Sequence, residues 1–124
     1  LPSLALDLPM PGDARLQALC HRLRADPGDA RTLEDWAREA GASARTLARL
    51  FQKETGLSFA DWRQQARLLA AMARLAAGQP ITRIALDLGY DSPSAFAAMF
   101  KRALGAPPSR YFRDERLGEV MRTG

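Results

Sequence analysis

Apolar residues recur every three or four positions along most of the chain, which is the period of a helix buried on one side. Six segments between residues 13 and 105 carry this pattern, and each is bounded by a capping residue or a glycine. A seventh short helix is predicted over residues 109–116. Since no segment alternates with a period of two, the predicted fold class is all-α.

Side-chain oxygens that can cap a helix precede the first three segments, at Asp13, Thr32 and Ser43. Gly41 and Gly56 are expected to end the second and third helices. The positions predicted to face the core are Leu16, Leu19, Cys20 and Leu23 in the first helix, Leu33, Trp36, Ala37 and Ala40 in the second, and Leu47, Leu50 and Phe51 in the third.

A long fourth helix is predicted from Ser58 to Gly78, and the fifth and sixth follow Pro80 and Ser92. Their predicted core positions are Trp62, Ala66, Leu69 and Ala73, then Ile81, Ile84, Ala85 and Leu88, then Phe96, Met99, Phe100 and Leu104. Residues 1–12 contain three prolines and a glycine without helical period, so we expect a linker from a missing upstream domain.

The chain repeats one pattern twice, in "LEDWAREAGASARTLARLFQKETG" and "ITRIALDLGYDSPSAFAAMFKRALG". Ala37 and Gly41 of the first copy match Ala85 and Gly89 of the second. The small residue allows two helices to cross closely, and the glycine permits the positive φ of a tight turn. This is the helix-turn-helix pattern, whose second helix can enter a DNA major groove.

The repeat divides the chain into a first unit at 13–57, a connecting helix at 58–78, a second unit at 79–116 and a tail at 117–124. Twenty connecting residues from Ser58 to Ala77 would extend for roughly 30 Å. Successive major grooves on one face of DNA lie about 34 Å apart. The length of the connecting helix is therefore comparable to the distance between two helices that read adjacent major grooves.

The distribution of charge favours an anionic partner for the part of the chain that follows Gly41. The net charge is +4, but residues 1–40 carry five arginines against seven acids, whereas residues 41–124 carry thirteen Lys or Arg against seven. At 47% hydrophobic the chain can form a core, and it has no apolar run long enough to span a bilayer. We expect a soluble, cytoplasmic domain.

Catalytic and metal chemistry have no support in the residues. The chain contains one cysteine and one histidine, Cys20 and His21, which project about 100° apart on a helix. A zinc site and an internal disulfide are therefore not expected. The serines serve as helix caps and the acids are scattered, so we predict no enzyme, no cofactor and no metal.

Residues 81–111, "ITRIALDLGYDSPSAFAAMFKRALGAPPSRY", closely resemble the signature of the AraC/XylS transcription regulators, and "TLARLFQKETG" resembles their first unit. The resemblance implies a seven-helix bacterial DNA-binding domain, in which two helix-turn-helix units joined by a long helix read adjacent major grooves. Carried over to this sequence, the base-reading positions are Arg45, Thr46, Ala48 and Arg49 in the first unit and Ser94, Ala95 and Ala98 in the second.

The sequence departs from the family pattern at Ala98, where many relatives keep an arginine, so the first unit is expected to dominate specificity. Phe112 follows Tyr111 where the family favours arginine, which shifts an expected phosphate contact towards Arg110 or Arg113. The predicted phosphate contacts are Ser43, Gln52, Lys53, Arg63, Lys101, Arg102 and Arg110.

Two alternatives stay open at this stage. The basic face of a helical protein-interaction module could instead bind an acidic protein such as a polymerase subunit. Arg63, Arg67 and Arg74 have a solvated or structural interpretation beside the DNA-contacting one. The expected partners are double-stranded DNA, RNA polymerase as a further candidate, and an effector held by the upstream domain.

Overall fold

The computed structural model describes residues 8–108 of the 124-residue chain. Within that span it contains no strand and six helices. They are α1 (Ala14–Ala25), α2 (Leu33–Ala40), α3 (Ala44–Thr55), α4 (Phe59–Ala76), α5 (Ile81–Asp87) and α6 (Pro93–Leu104). The all-α prediction is confirmed with six helices rather than seven, because the seventh, predicted at 109–116, lies outside the described residues.

The chain forms two compact units, Leu1–Ala70 and Ala71–Gly124, and the boundary falls inside α4. The predicted connecting helix therefore contributes residues to both units. We call them unit 1 and unit 2.

The helices of unit 1 begin at the predicted caps. The carboxylate of Asp13 accepts hydrogen bonds from the backbone N–H groups of Arg15 and Leu16. Thr32 and Asp35 form a reciprocal capping box at the start of α2. Gly41 ends α2 with φ of 71°, a left-handed conformation that glycine adopts without steric cost.

The core of unit 1 is aromatic at its centre. The ring of Phe51 meets the rings of Phe59 and Trp62 edge to face, each at a centroid distance of 6.0 Å. Edge-to-face pairs add roughly 0.5–1.5 kcal/mol each beyond the burial of their area. Leu16, Leu19, Cys20 and Leu23 of α1, Trp36 and Ala37 of α2, Leu47 of α3 and Ala66 of α4 complete this core. The prediction that both tryptophans are core residues is confirmed.

Residues 8–12, predicted as linker, pack against unit 1. Trp62 donates its indole N–H to the carbonyl of Pro9 at 2.8 Å, and Pro11 is fully buried. The Glu54 Oε1 atom accepts from the N–H groups of Gly12 and Asp13 at 3.0 Å each. These partners lie more than forty positions away along the chain, so the local proline-rich pattern does not show them.

Unit 2 repeats the scheme of a capped second helix packed on a core. Ser92 caps α6 by accepting from the N–H of Ala95 at 3.1 Å, with Pro93 at the first helical position. The ring of Phe96 lies between those of Tyr90 and Phe100, at centroid distances of 5.6 and 5.9 Å. Ile84, Ala85, Leu88, Phe96, Met99 and Phe100 are buried as predicted.

Two residues that were predicted to face the core do not face it. Ala40 of α2 and Ala73 of α4 are exposed, whereas Leu68, Ala71 and Leu75 are the buried residues in the second half of α4. A single continuous stripe was expected on α4. The helix belongs to two units, and its buried positions do not follow one stripe from end to end.

Candidate nucleic-acid interface

The outward face of α3 follows from its buried face. Leu47 and Phe51 are almost fully buried and Leu50 packs partly buried against the core, so helical geometry turns the opposite side of α3 towards solvent. The exposed residues are Arg45, Ala48, Arg49, Gln52 and Lys53. The structure thus gathers on one helix face five of the side chains that the sequence predicted as DNA contacts.

The cations of α3 are uncompensated within the described part of the chain. No hydrogen bond or ion pair joins the side chain of Arg45, Arg49 or Lys53 to any residue between 8 and 108. Glu54 is the only acid on α3, and its Oε1 accepts from the backbone of Gly12 and Asp13. The helix therefore presents positive charge that no described carboxylate pairs with.

Arginines on the neighbouring elements of unit 1 behave differently. Arg15 pairs with Asp13, Arg22 with Glu39, Arg31 with Asp29 and Glu39, and Arg38 with Asp35. Hydrogen bonding to Arg31 lowers the pKa of Asp29, and hydrogen bonding to the backbone of Thr32 lowers the pKa of Asp35. These acids stay ionised and offset the positive charge around α1 and α2, so α3 is electrostatically distinct.

Ser43 and Thr46 form the start of α3. The Ser43 hydroxyl accepts from the N–H of Thr46 at 3.1 Å and donates to the Thr46 hydroxyl at 2.9 Å. Both hydroxyls are therefore engaged in the cap. The half-buried Thr46 side chain retains its methyl group for an apolar contact, whereas Ser43 is exposed.

Three arginines of α4 support the structure. Arg63 donates to the carbonyl of Arg31 at 2.7 Å, and its guanidinium lies 4.9 Å from the ring centroid of Phe59. Arg67 donates to the carbonyl of Pro27 at 2.7 Å. Arg74 forms a close ion pair with Asp87. These contacts favour the structural interpretation that the sequence left open, including for Arg63, which was predicted to contact phosphate.

The outward face of α6 is smaller and less polar near its start. Ser94, Ala95 and Ala98 are exposed, so this half of the helix offers one hydroxyl and two methyl groups. Lys101 and Arg102 are also exposed, and neither has an ion-pair partner among residues 8–108. Arg110 lies outside the described residues.

Sequence reasoning missed two exposed cations, Arg24 on α1 and Arg83 on α5. Neither side chain forms an ion pair or a hydrogen bond within the described span. The internal repeat carried a signal for Arg83, because it occupies the position of Asp35 in the first copy. Asp35 is held by a cap and an ion pair, whereas Arg83 is held by neither.

Residues 8–108 contain no group of three or more His, Cys, Asp or Glu placed to hold a metal ion. Burial raises the pKa of the Cys20 thiol to about 12, so the thiolate needed for reactivity is suppressed. Among the helices described, none is both long and apolar enough to cross a membrane.

The pairs α2–α3 and α5–α6 each contain a tight turn with a glycine, followed by a helix with one exposed face. This arrangement defines a helix-turn-helix protein. The family model described as "Helix-turn-helix domain" matches residues 36–114. The chain is 41% identical over 110 residues to the HTH-type transcriptional regulator NimR of Escherichia coli, covering 89% of this chain and 40% of NimR. It thus spans less than half the length of that relative.

Two solved structures extend the likeness to three dimensions. One is the C-terminal domain of AraT, a response regulator from Geobacillus stearothermophilus, with a TM-score of 0.75, 28% identity, and coverage of 82% of this chain and 86% of that domain. The other is the DNA-binding domain of the transcriptional factor AdpA in complex with a target DNA, with a TM-score of 0.72, 28% identity, and coverage of 85% and 97%. The chain belongs to the AraC/XylS family of bacterial transcription regulators and comprises their helix-turn-helix DNA-binding domain. Domains of this type bind double-stranded DNA.

Proposed function

We propose that this chain reads two adjacent major grooves of one duplex and that α3 supplies most of the sequence discrimination. The observation that carries the proposal is the exposure of Arg45 and Arg49 on one face of α3 without a described partner. Arginine presents a planar fork that matches the O6 and N7 acceptors of guanine. Ala48 between them is small enough for the helix to approach the base edges.

The second reading helix is α6, with Ser94, Ala95 and Ala98 towards the bases. A hydroxyl can bond to several bases, and methyl groups can contact the methyl of thymine, but neither forms the bidentate pairs that discriminate strongly. This chemistry supports a dominant first unit and a permissive second one.

Phosphate contacts are proposed for the remaining exposed polar groups of both units. In unit 1 they are Ser43, Gln52 and Lys53, and in unit 2 they are Lys101, Arg102 and, added by the structure, Arg83. Arg110 lies outside the described residues and is kept as a proposed phosphate contact from the family resemblance. Arg63 is left out because its guanidinium already bonds a backbone carbonyl and stacks on a ring.

The length of α4 supports the use of two grooves. Its 18 residues extend for about 27 Å. That length is of the same order as the spacing of about 34 Å between successive major grooves on one face of DNA.

Further partners are proposals for the whole regulator, since this chain spans 40% of NimR. RNA polymerase is proposed as a further candidate partner. An effector, where one acts, is assigned to an upstream domain, and the cytoplasm is the compartment in which the chromosome can be reached.

Selection of bound sequences from a random duplex pool tests the proposal. The wild-type chain should select a site with strong preferences where α3 reads and weak ones where α6 reads. Arg45→Ala should lose the preference at one base pair. Arg38→Ala is the matched control, since Arg38 is exposed in the same unit but paired with Asp35.

Two results would contradict the proposal. One is that Arg45→Ala weakens every site equally, which would make Arg45 a phosphate contact. The other is that the chain fails to bind duplex DNA at low salt while it binds an acidic protein, which would favour the interaction-module alternative.

A further inference from the structure

Unit 1 contains an open-sided cavity between α1 and α2, with a volume of about 240 Å³. Ala18 and Leu19 of α1, Ala40 of α2 and Leu47 of α3 give it an apolar floor. Sites for drug-sized ligands occupy about 300–1,000 Å³, so this cavity suits a smaller molecule. We call it the α1–α2 cavity.

The apolar stripe of α2 continues into this cavity. Periodicity predicts Ala40 on the same face as Trp36 and Ala37, yet Ala40 is exposed while the other two are buried. Ala18 is likewise exposed beside the buried Leu19. Both α1 and α2 therefore have apolar surface that the core of unit 1 leaves uncovered. That uncovered surface lines the cavity.

Hydrogen-bond donors predominate in the wall. Trp36 is 4% exposed, and its indole N–H is buried without an acceptor among the described residues. Arg22 uses one terminal nitrogen, Nη1, to bond Glu39 at 2.6 Å, so its other N–H groups have no partner within residues 8–108. Solvent does not reach the indole N–H, so the accessible donors of the wall include those of Arg22.

Acceptors in the wall are already committed. Glu39 is the carboxylate that lines the cavity, and its two oxygens accept from Arg22 and Arg31 respectively. The guanidinium groups of those arginines also lie 5.1 and 3.9 Å from the ring centroid of Trp36, which fixes the tryptophan between α1 and the residues before α2. The guanidinium of Arg22 is therefore the donor left to a ligand above the apolar floor.

We propose that the α1–α2 cavity binds a small organic carboxylate whose apolar body lies on Leu19, Ala40 and Leu47. The carboxylate accepts hydrogen bonds from the guanidinium of Arg22, because an ionised acceptor matches that cationic donor best. The site lies within unit 1 and does not use Arg45 or Arg49. It is thus separate from the proposed DNA contacts.

Phenylacetate is a suitable probe, with neutral phenylacetamide as its matched control. The chain has two tryptophans, and their indole N–H signals in a two-dimensional ¹H–¹⁵N spectrum report two places in unit 1. Trp36 lines the cavity, whereas Trp62 bonds the carbonyl of Pro9 and serves as an internal reference. Trp36→Phe assigns the signals.

Phenylacetate should shift the Trp36 signal saturably and leave the Trp62 signal in place. Arg22→Ala should weaken this binding by about tenfold, the loss expected for a charge-assisted hydrogen bond. Arg24→Ala is the matched control, since Arg24 lies on the same helix, exposed and outside the cavity. Ala40→Phe should block the site by filling its floor, and because Ala40 is exposed the fold should be retained.

Three outcomes would overturn the proposal. One is a Trp36 signal that does not move up to the solubility of phenylacetate. Another is equally tight binding of phenylacetamide and phenylacetate, which would remove the role of the carboxylate. The third is equal weakening of binding by Arg24→Ala and Arg22→Ala, which would reduce the effect to net charge. A thermal melt of each variant establishes that it is folded, so a loss of binding is not mistaken for unfolding.

Discussion

The two proposed reading helices, α3 and α6, both have large apolar residues at their inward positions, but their outward residues differ in chemistry. Leu47 and Phe51 of α3 match Phe96 and Phe100 of α6, and all four are almost fully buried. At the outward positions, Arg45 and Arg49 of α3 are matched by Ser94 and Ala98 of α6. The packing of a helix-turn-helix unit constrains the first set, whereas the second set is free to differ between units.

The distribution of charge along the two helices is also different. The positions of Gln52 and Lys53 near the end of α3 are occupied by Lys101 and Arg102 in α6. Positive charge thus lies along most of α3 but only in the last turns of α6. A recognition helix contacts base edges with its N-terminal residues. Under the proposed function, α3 would carry cations where bases are read, and α6 would carry them only where the backbone is held.

The largest expected effect is the loss of base discrimination by α3. Arg49→Ala should remove about 1–3 kcal/mol of discrimination at one base pair, the value of one bidentate contact. The matched change in α6, Ser94→Ala, should alter base preference by less than the uncertainty of the measurement. Affinities for a set of singly substituted duplexes provide the test. Equal losses from both variants would remove the distinction between the two helices.

The converse change should give α6 the reading chemistry that it lacks. Ala98→Arg places an arginine where α3 has Arg49, and we expect a new guanine preference of about 1–3 kcal/mol in the second half of the site. Ala98 is exposed, so the longer side chain has space. Binding-site selection with the variant measures the gain. A uniform increase in affinity without a new base preference would show that α6 does not reach the base edges.

A smaller and uniform effect is expected from Arg83, the cation of α5. Arg83→Ala should weaken binding to all sequences alike and reduce the slope of log affinity against log salt by about 1, as for the loss of one phosphate contact. The corresponding position in unit 1 carries Asp35, which holds a cap instead. A salt titration with wild type and variant gives both slopes. An unchanged slope would remove Arg83 from the interface.

The smallest expected effect concerns acid stability and again distinguishes the units. The hydrogen bond from Arg15, with backbone bonds at the start of α1, lowers the pKa of Asp13 from 3.8 to about 2. A carboxylate with a lowered pKa in the folded state stabilises above pH 3.8, and this contribution is lost as the pH falls towards 2. Solvent screening limits it to about 1 kcal/mol at most.

Both tryptophans belong to unit 1, so their fluorescence during denaturant unfolding measures this effect selectively. Asp13→Asn keeps a capping oxygen and removes the titration, so its stability should vary less between pH 5 and pH 2 than that of the wild type. The serine cap of α6 in unit 2 has no charge to lose. Equal pH dependence in wild type and variant would assign the acid sensitivity to other groups.

The sequence was sufficient for those parts of the fold that depend on neighbours along the chain. Caps at Asp13, Thr32, Ser43 and Ser92 are local hydrogen bonds between a side chain and the next helical turn, and all four are confirmed. Exposure of Arg45 and Arg49 followed from the burial of Leu47 and Phe51 on the same helix. Periodicity determines these features directly.

Features that depend on distant residues were not accessible from periodicity. Periodicity places Ala40 on the apolar side of α2, but it does not show how far along α2 the neighbouring helices cover that side. It also gives no sign that Pro9 accepts from Trp62 or that Glu54 reaches back to Gly12. The partners of Arg63 and Arg67 are carbonyl oxygens of loop residues, which no side-chain pattern reveals.

The bond between Glu54 and the backbone before α1 has a kinetic consequence. Because this carboxylate is turned to Gly12 and Asp13, it does not pair with Arg49 or Lys53 on its own helix. Arg45, Arg49 and Lys53 outnumber this one acid on α3, so the helix keeps a net positive charge that would attract a polyanion before any contact forms. Attraction at a distance accelerates diffusional encounter and is screened by salt. Capture of the duplex should thus be fast and salt-sensitive, whereas residence on the right sequence should depend on Arg45 and Arg49, the proposed base contacts.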